Sequence, residues 1–174
     1  MKKTQFKKFV ARYKDLIYSH AYCFTGSSDD AADITQEVLL KLWHHLDKIA
    51  PGAIKSWLLK VTRNLCIDCS RRNREIAFSA LTNSSNPEKF EQEQIEAGLN
   101  PEEETINIDT KNRILNAIQK LPPKIKDVII MREIHDLKYE DIASSMDLPI
   151  NSVKVYLHRG RKLLFEYLKP YFGD

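Results

Sequence analysis

The chain has 174 residues, 43% hydrophobic and 29% charged, with a formal net charge of +3. That length suits one large domain or two small ones; the composition excludes a disordered chain, and no run approaches the ~18 apolar residues of a membrane span. The charge is uneven: residues 1–75 hold 14 basic and 8 acidic side chains, residues 76–110 hold 1 and 8, and residues 111–174 hold 12 and 8. Two basic blocks joined by an acidic strap imply two nucleic-acid-facing modules and a linker of opposite character.

Met1-Lys2-Lys3 looks like the start of a signal peptide, but Thr4-Gln5-Phe6-Lys7-Lys8 follows in place of an apolar core, so a cytoplasmic location is expected. Phe6, Phe9, Val10, Tyr13, Leu16, Ile17 and His20 keep a helical period until Thr25-Gly26-Ser27-Ser28 ends it. Ser28 or Asp29 is placed to cap the second helix, with Asp29, Asp30 and Asp33 near its positive end. Spacing buries Ala32, Val38, Leu39, Leu42 and Leu46 in that helix and leaves Asp33, Gln36, Glu37, Leu40, Lys41 and Trp43 elsewhere. A solvated face would explain the charges, whereas an exposed leucine and tryptophan among acids also fit a protein interface.

Ala50-Pro51-Gly52-Ala53 reads as a loop and Ser56 as the cap of a third helix. Its packed stripe is expected to be Trp57, Leu58, Val61, Leu65 and Cys69, with Lys60, Arg63, Asn64, Asp68, Arg71 and Arg72 on other faces. Arg71-Arg72-Asn73-Arg74 complements the helix dipole, and together with the tryptophans it also suits single-stranded nucleic acid. Cys66 and Cys69 form a CxxC, but no second CxxC or HxxxH completes a metal set, so the pair reads as small buried residues. No metal and no cofactor are expected. Residues 78–108 are poor in apolar side chains and carry one-sided charge, as a linker would.

Beyond it a helix from Asn112 to Leu121 is stopped by Pro122, and Pro123 suits the first turn of the next helix, which buries Val128, Ile129, Ile130 and Ile134. Tyr139–Leu164 then reads as helix, tight turn and helix. Ile142, Ala143 and Met146 share a face, Asp147-Leu148-Pro149 breaks the pattern, and Asn151 is placed to cap the second helix. Val153, Tyr156, Leu157, Gly160 and Leu164 line its inner face; Lys154, Val155, His158, Arg159, Arg161 and Lys162 form a cationic outer one. An apolar inner and basic outer face suit a helix that enters a DNA groove. No strand pattern appears, so the chain is expected to be all-α: two small helical domains, residues 1–76 and 109–174, joined by a flexible acidic linker, residues 77–108.

Two stretches, AADITQEVLLKLW followed by SWLLKVTRNLCIDCSRR, and LPPKIKDVIIMREIHDLKYEDIASSMDLPINSVKVYLHRGRKLL, resemble in order domains 2 and 4 of bacterial RNA polymerase sigma factors of the sigma-70 family, extracytoplasmic function (ECF) group. The resemblance covers almost the whole chain. It implies promoter-specific initiation with core RNA polymerase (β′ clamp and β flap), promoter DNA and an anti-sigma factor as partners. Asp33, Gln36, Glu37, Leu40 and Trp43 would dock on the β′ clamp. The loop from Lys48 to Lys55 would capture a flipped base of the −10 element. Trp57, Arg63, Asn64, Asp68, Arg71 and Arg72 would melt and read that element. Lys154, Val155, His158 and Arg159 would approach bases of the −35 element, with Ser152 and Arg161 on phosphates. This chain departs from the family pattern at Lys138, where a Ser or Thr cap is usual, at Val155 and Tyr156, and at Gly160, which replaces alanine.

Two other classes compete. An enzyme would need a convergent catalytic set, and the adjacent His44-His45 diverge by about 100° on a helix. A stand-alone helix-turn-helix regulator of operator duplexes would leave the tryptophan-bearing basic helix and the second helix's exposed face without a role.

Overall fold

The computed structural model describes residues 2–83 and 101–172, with side chains over 2–79 and 108–171. All the regular structure among them is helical: α1 (Lys2–Thr25), α2 (Ser28–His45), α3 (Ile54–Asn83), α4 (Pro101–Gln119), α5 (Pro123–Ile129), α6 (Tyr139–Met146) and α7 (Ile150–Phe172). Short 3₁₀ turns at Leu46–Lys48 and Pro51–Ala53 join α2 to α3, and a π turn, Ile130–Ile134, extends α5. The all-α expectation holds. Most of the expected linker lies outside the described residues; its ends, 77–83 and 101–108, are helical, so α4 starts well before Asn112.

The helix ends follow from local chemistry. Gly26 takes φ +75 and donates its N–H to the Tyr22 carbonyl, closing α1. The α2 cap is Ser27, not Ser28 or Asp29: its hydroxyl accepts the Asp30 N–H at 3.2 Å. Helix α3 starts at Ile54, two residues ahead of Ser56, whose hydroxyl donates back to the Ala53 carbonyl. Pro123 occupies the first turn of α5, where a missing N–H costs nothing. Asp147 ends α6 in the left-handed region at φ 53. Asn151 is not a cap, because α7 begins at Ile150 and the N–H groups of Ser152 and Val153 already reach the Pro149 carbonyl.

Two apolar clusters form the core. The first joins Ile17, Ala21 and Phe24 of α1, Ala31, Ile34, Val38 and Leu42 of α2, and Ile54, Leu58, Cys66 and Cys69 of α3. The α2 stripe is thus Ala31-Ile34-Thr35-Val38-Leu42; Ala32, one residue and about 100° off it, is exposed. Thr35 is tolerated there by donating its hydroxyl to the Ala31 carbonyl at 2.7 Å. The second cluster joins Leu121, Ile125, Val128, Ile129, Met131, Leu137, Ile142, Ala143, Met146, Val153 and Leu157. Ile134, expected inside, is 43% exposed, because the π turn rotates it away from the face of Val128 and Met131.

The two clusters interlock. Leu59 of α3 belongs to the second, while Ile118 of α4 and Ile130 belong to the first. Polar contacts cross the same seam: His20 Nε2 lies 3.2 Å from Asp127 Oδ1 with both side chains buried, Gln119 donates to the Cys23 carbonyl at 2.6 Å, and Lys126 donates to the Phe24 carbonyl at 3.4 Å.

Candidate nucleic-acid and polymerase interfaces

Helix α7 presents the first surface. Val153, Leu157 and Gly160 are buried, so the 100° step per residue turns Lys154, Val155, His158, Arg159 and Lys162 outward together. Ser152 and Arg161 flank this strip on opposite sides. Arg161 is already committed: its Nε and Nη2 donate to Glu133 Oε1 at 2.9 and 2.8 Å, which raises its pKa. Arg159 has no such anchor among the described residues. Lys162 sits in the middle of the strip and, like Lys154, is exposed.

The second surface is α3 and the loop before it. Trp57, Asn64, Asp68 and Arg71 fall on one stripe, with Arg72 at its margin. Arg63 reaches this stripe only through its guanidinium, whose Nη2 donates to Asn64 Oδ1 at 3.3 Å. It lies about 120° round the helix, on the seam, with its Nε buried and unbonded. Lys60 takes the place on the stripe that sequence reasoning left unassigned; its i+3 spacing from Trp57 was the available signal. At the upper end Trp57, Lys60, Ser56, His45 and the Lys48–Ala53 loop line an open cleft of ≈ 400 Å³, within the range of ordinary small-ligand pockets. Two further lining residues, Ser144 and Asp147, come from α6 and its turn. Asp147 Oδ2 is 2.6 Å from Lys60 Nζ, and this contact holds the Asp147 carboxyl below its usual pKa.

Helix α2 carries the third surface. Asp33, Gln36, Glu37 and Leu40 stand opposite its buried stripe, and Leu40 is 55% exposed. Trp43 is only half-buried, packed edge-on against Phe6 with ring centroids 5.1 Å apart and the Lys2 ammonium 5.4 Å from its ring. It therefore ties α1 to α2 as well as bordering the surface.

Cys66 and Cys69 are buried in the first cluster, as their spacing suggested, and burial pushes both thiols above their ordinary pKa. Among the described residues no group of three or more His, Cys, Asp or Glu is placed to hold a metal. None of their helices is long and apolar enough to cross a membrane.

A helix-turn-helix with a basic outer strip, joined to a helical unit with an aromatic and cationic face, defines a helical protein with two surfaces suited to nucleic acid. Comparison with known proteins gives the family. Residues 9–76 match the Sigma-70 region 2 model and residues 111–164 the Sigma-70 region 4 model. The ECF RNA polymerase sigma factor SigW of Bacillus subtilis is 30% identical over 166 residues, covering 94% of this chain and 89% of that protein. SigE of Mycolicibacterium smegmatis is 30% identical over 169 residues, and the chain spans 63% of that longer protein. The Escherichia coli K12 sigma-E factor is 27% identical over 172 residues, 95% of this chain and 87% of that protein. In fold the chain matches the Bartonella quintana sigma factor RpoE, solved with the anti-sigma factor NepR, at TM-score 0.72 and 24% identity over 95% of this chain and 97% of that one. It also matches CnrH, solved with the cytosolic domain of CnrY, at TM-score 0.71 and 19% identity over 97% and 90%. The chain belongs to the sigma-70 family, among the ECF RNA polymerase sigma factors.

Proposed function

We propose that residues 1–76 act as sigma domain 2 and residues 109–174 as sigma domain 4, and that the chain directs core RNA polymerase to promoters. The observation that carries this reading is the presence, in family order on one chain, of a stripe suited to single-stranded DNA and a strip suited to a major groove. Trp57 and the cleft beside it offer a flipped base a stacking partner, while Lys60, Arg71 and Arg72 offer cations to its backbone. Asn64 and Asp68 add hydrogen-bonding groups for base edges. On α7, Arg159 and His158 are free to reach bases, Val155 can meet a thymine methyl, and Lys154 and Lys162 take phosphates. The α2 stripe, with its exposed Leu40 among carboxylates, docks on the polymerase clamp. The chain works by binding, not catalysis, in the cytoplasm, and an anti-sigma protein is among its partners, as NepR is of the Bartonella quintana RpoE.

Gel-shift titration on a promoter fragment tests this against the operator-binding alternative. Tight, sequence-selective binding that appears only with core polymerase supports the sigma reading. Equally tight and selective binding by the chain alone supports a stand-alone regulator.

A further inference from the structure

We propose that the first two turns of α1 form a cationic track for the melted DNA strand. The strand leaves the cleft at Trp57 and runs over these lysines towards the transcription start. This rests on reading the α3 stripe as the −10 surface.

The charges of α1 run against helix electrostatics. Residues 1–28 hold six basic side chains and a single acid, Asp15. Lys2 and Lys3 stand in the first turn with no acid beside them, at the positive end of the dipole, where cations are disfavoured. Lys3 and Lys7 are four residues apart, as are Lys8 and Arg12, so like charges meet on the helix surface. Only Lys2 finds a carboxylate, that of Asp47. Lys3, Lys7, Lys8 and Lys14 are exposed and pair with no acid among the described residues. Local rules broken without an internal gain mark a surface kept for a ligand.

That ligand is met by charge alone. Phe6, Phe9 and Tyr13 pack against the first apolar cluster and Ile17 belongs to it, so the apolar face of α1 is already buried. A membrane-surface helix would need that face free. What remains outside is cationic and suits a polyanion.

Position selects the polyanion. The Lys2–Asp47 pair and the Phe6–Trp43 contact fix the start of α1 beside the 3₁₀ turn Leu46–Lys48. That turn leads directly into the loop that lines the cleft with Trp57. Chain order gives the direction. The far end of α3 leads on to the helix-turn-helix, which reads the upstream −35 element, so the loop end points downstream. A strand whose base sits in the cleft therefore leaves past the start of α1, and its phosphates meet Lys3, Lys7 and Lys8.

The test uses holoenzyme assembled from the full chain and core polymerase. Two fluorescein-labelled fork templates, built on a promoter mapped from RNA 5′ ends, are read by anisotropy. One ends its single strand at the −10 motif, and the other carries about eight further nucleotides downstream. Wild type should bind the longer fork at least fivefold more tightly. Lys3→Gln/Lys7→Gln/Lys8→Gln keeps good helix formers and should lose that gain, with less than twofold change on the short fork. Its salt slope on the longer fork should fall by about 2, the share of three phosphate contacts on a single strand. A charge-matched control in α4, α5 and α7, Lys111→Gln/Lys124→Gln/Lys169→Gln, should keep the gain. Should the triple α1 variant fail to fold, Lys7→Glu, a single reversal at an exposed position, decides in its place.

The track is overturned if wild type gains nothing from the longer strand, or if the α1 variant keeps the gain. It is also overturned if the control loses the gain, or if the α1 variant weakens both forks equally. Trp57→Ala keeps the two readings apart. Normal binding of the short fork by that variant removes the −10 reading of α3, whereas a gain that survives the lysine changes removes only the track over α1.

Discussion

Gly160 of α7 faces Ile129 so closely that a Cβ on the glycine would stand 2.5 Å from Ile129 Cγ1. The same Cβ would lie 2.9 Å from Ile125 Cγ2. This crossing of α5 and α7 sets the angle at which the basic strip leaves the core, and it leaves no room for a side chain at position 160. Gly160→Ala would gain ~1 kcal/mol of helix propensity. Overpacking two buried isoleucines costs ~1–3 kcal/mol, so the clash prevails. The variant is expected to lower the urea midpoint while its helical circular dichroism persists; a raised midpoint would show that the two helices part easily.

Arg159→Ala should weaken −35 recognition by about 1–3 kcal/mol and flatten sequence preference at one position, as expected of a bidentate base contact. Arg161→Ala should leave preference unchanged, since its guanidinium is already held by Glu133. Selection from a randomised −35 library with core polymerase checks both, and an unchanged profile for Arg159→Ala would remove it from the reading set.

Leu40→Ala should reduce binding to core polymerase with a stability change within about 0.5 kcal/mol, because an exposed side chain makes few internal contacts. Trp43→Ala should reduce binding and stability together, since it removes the edge-on contact with Phe6. Pull-down with core enzyme beside thermal denaturation distinguishes the two. If Leu40→Ala binds normally, the α2 stripe is only a solvated face.

Acid should loosen the seam between the two apolar clusters, parting the halves of the chain that meet there. Burial first, then the charges of His20 and Lys55, lower the His135 pKa to about 4. In the parted halves it would return towards 6.5. The parted form therefore binds this proton more readily, so the contribution of His135 to closure is complete above about 6.5 and is lost as pH falls towards 4. Asp127 acts in the opposite sense: burial raises its carboxyl pKa despite His20, Arg63 and Lys126 nearby, so the closed form takes up that proton more readily. The raised Cys66 thiol stays neutral across this range. The radius of gyration should grow between pH 7.5 and 5.5 and grow less in His135→Gln. A constant radius across that range in wild type would count against the seam as a pH-sensitive contact.

Much of this architecture was legible in the chain. Seven helices follow from a 3.6-residue period and from Gly26, Pro122 and Pro149 as punctuation. The α7 strip follows from the inner face of Val153, Tyr156, Leu157, Gly160 and Leu164 opposite it. The misses have local causes. Ala31 and Ala32 are chemically equal, and only Ile34 and Thr35 on the same face decide between them. The resemblance sets Arg63 beside Asn64, though neighbours on a helix diverge by about 100°. The seam was illegible because Leu59 follows Leu58 in one apolar run, and nothing local says that each enters a different core. His20 and Asp127 meet across 107 positions, beyond the reach of any local pattern.

Transcription in vitro tests the central claim, that one chain carries both promoter-reading surfaces. The purified protein would be added to sigma-free core polymerase with a pool of upstream regions from the source genome, and RNA 5′ ends sequenced. Discrete new start sites sharing two spaced upstream motifs, lost with Trp57→Ala at the nearer motif and altered with Arg159→Ala at the farther one, are the predicted result. No new starts, together with no association with core polymerase, would contradict it.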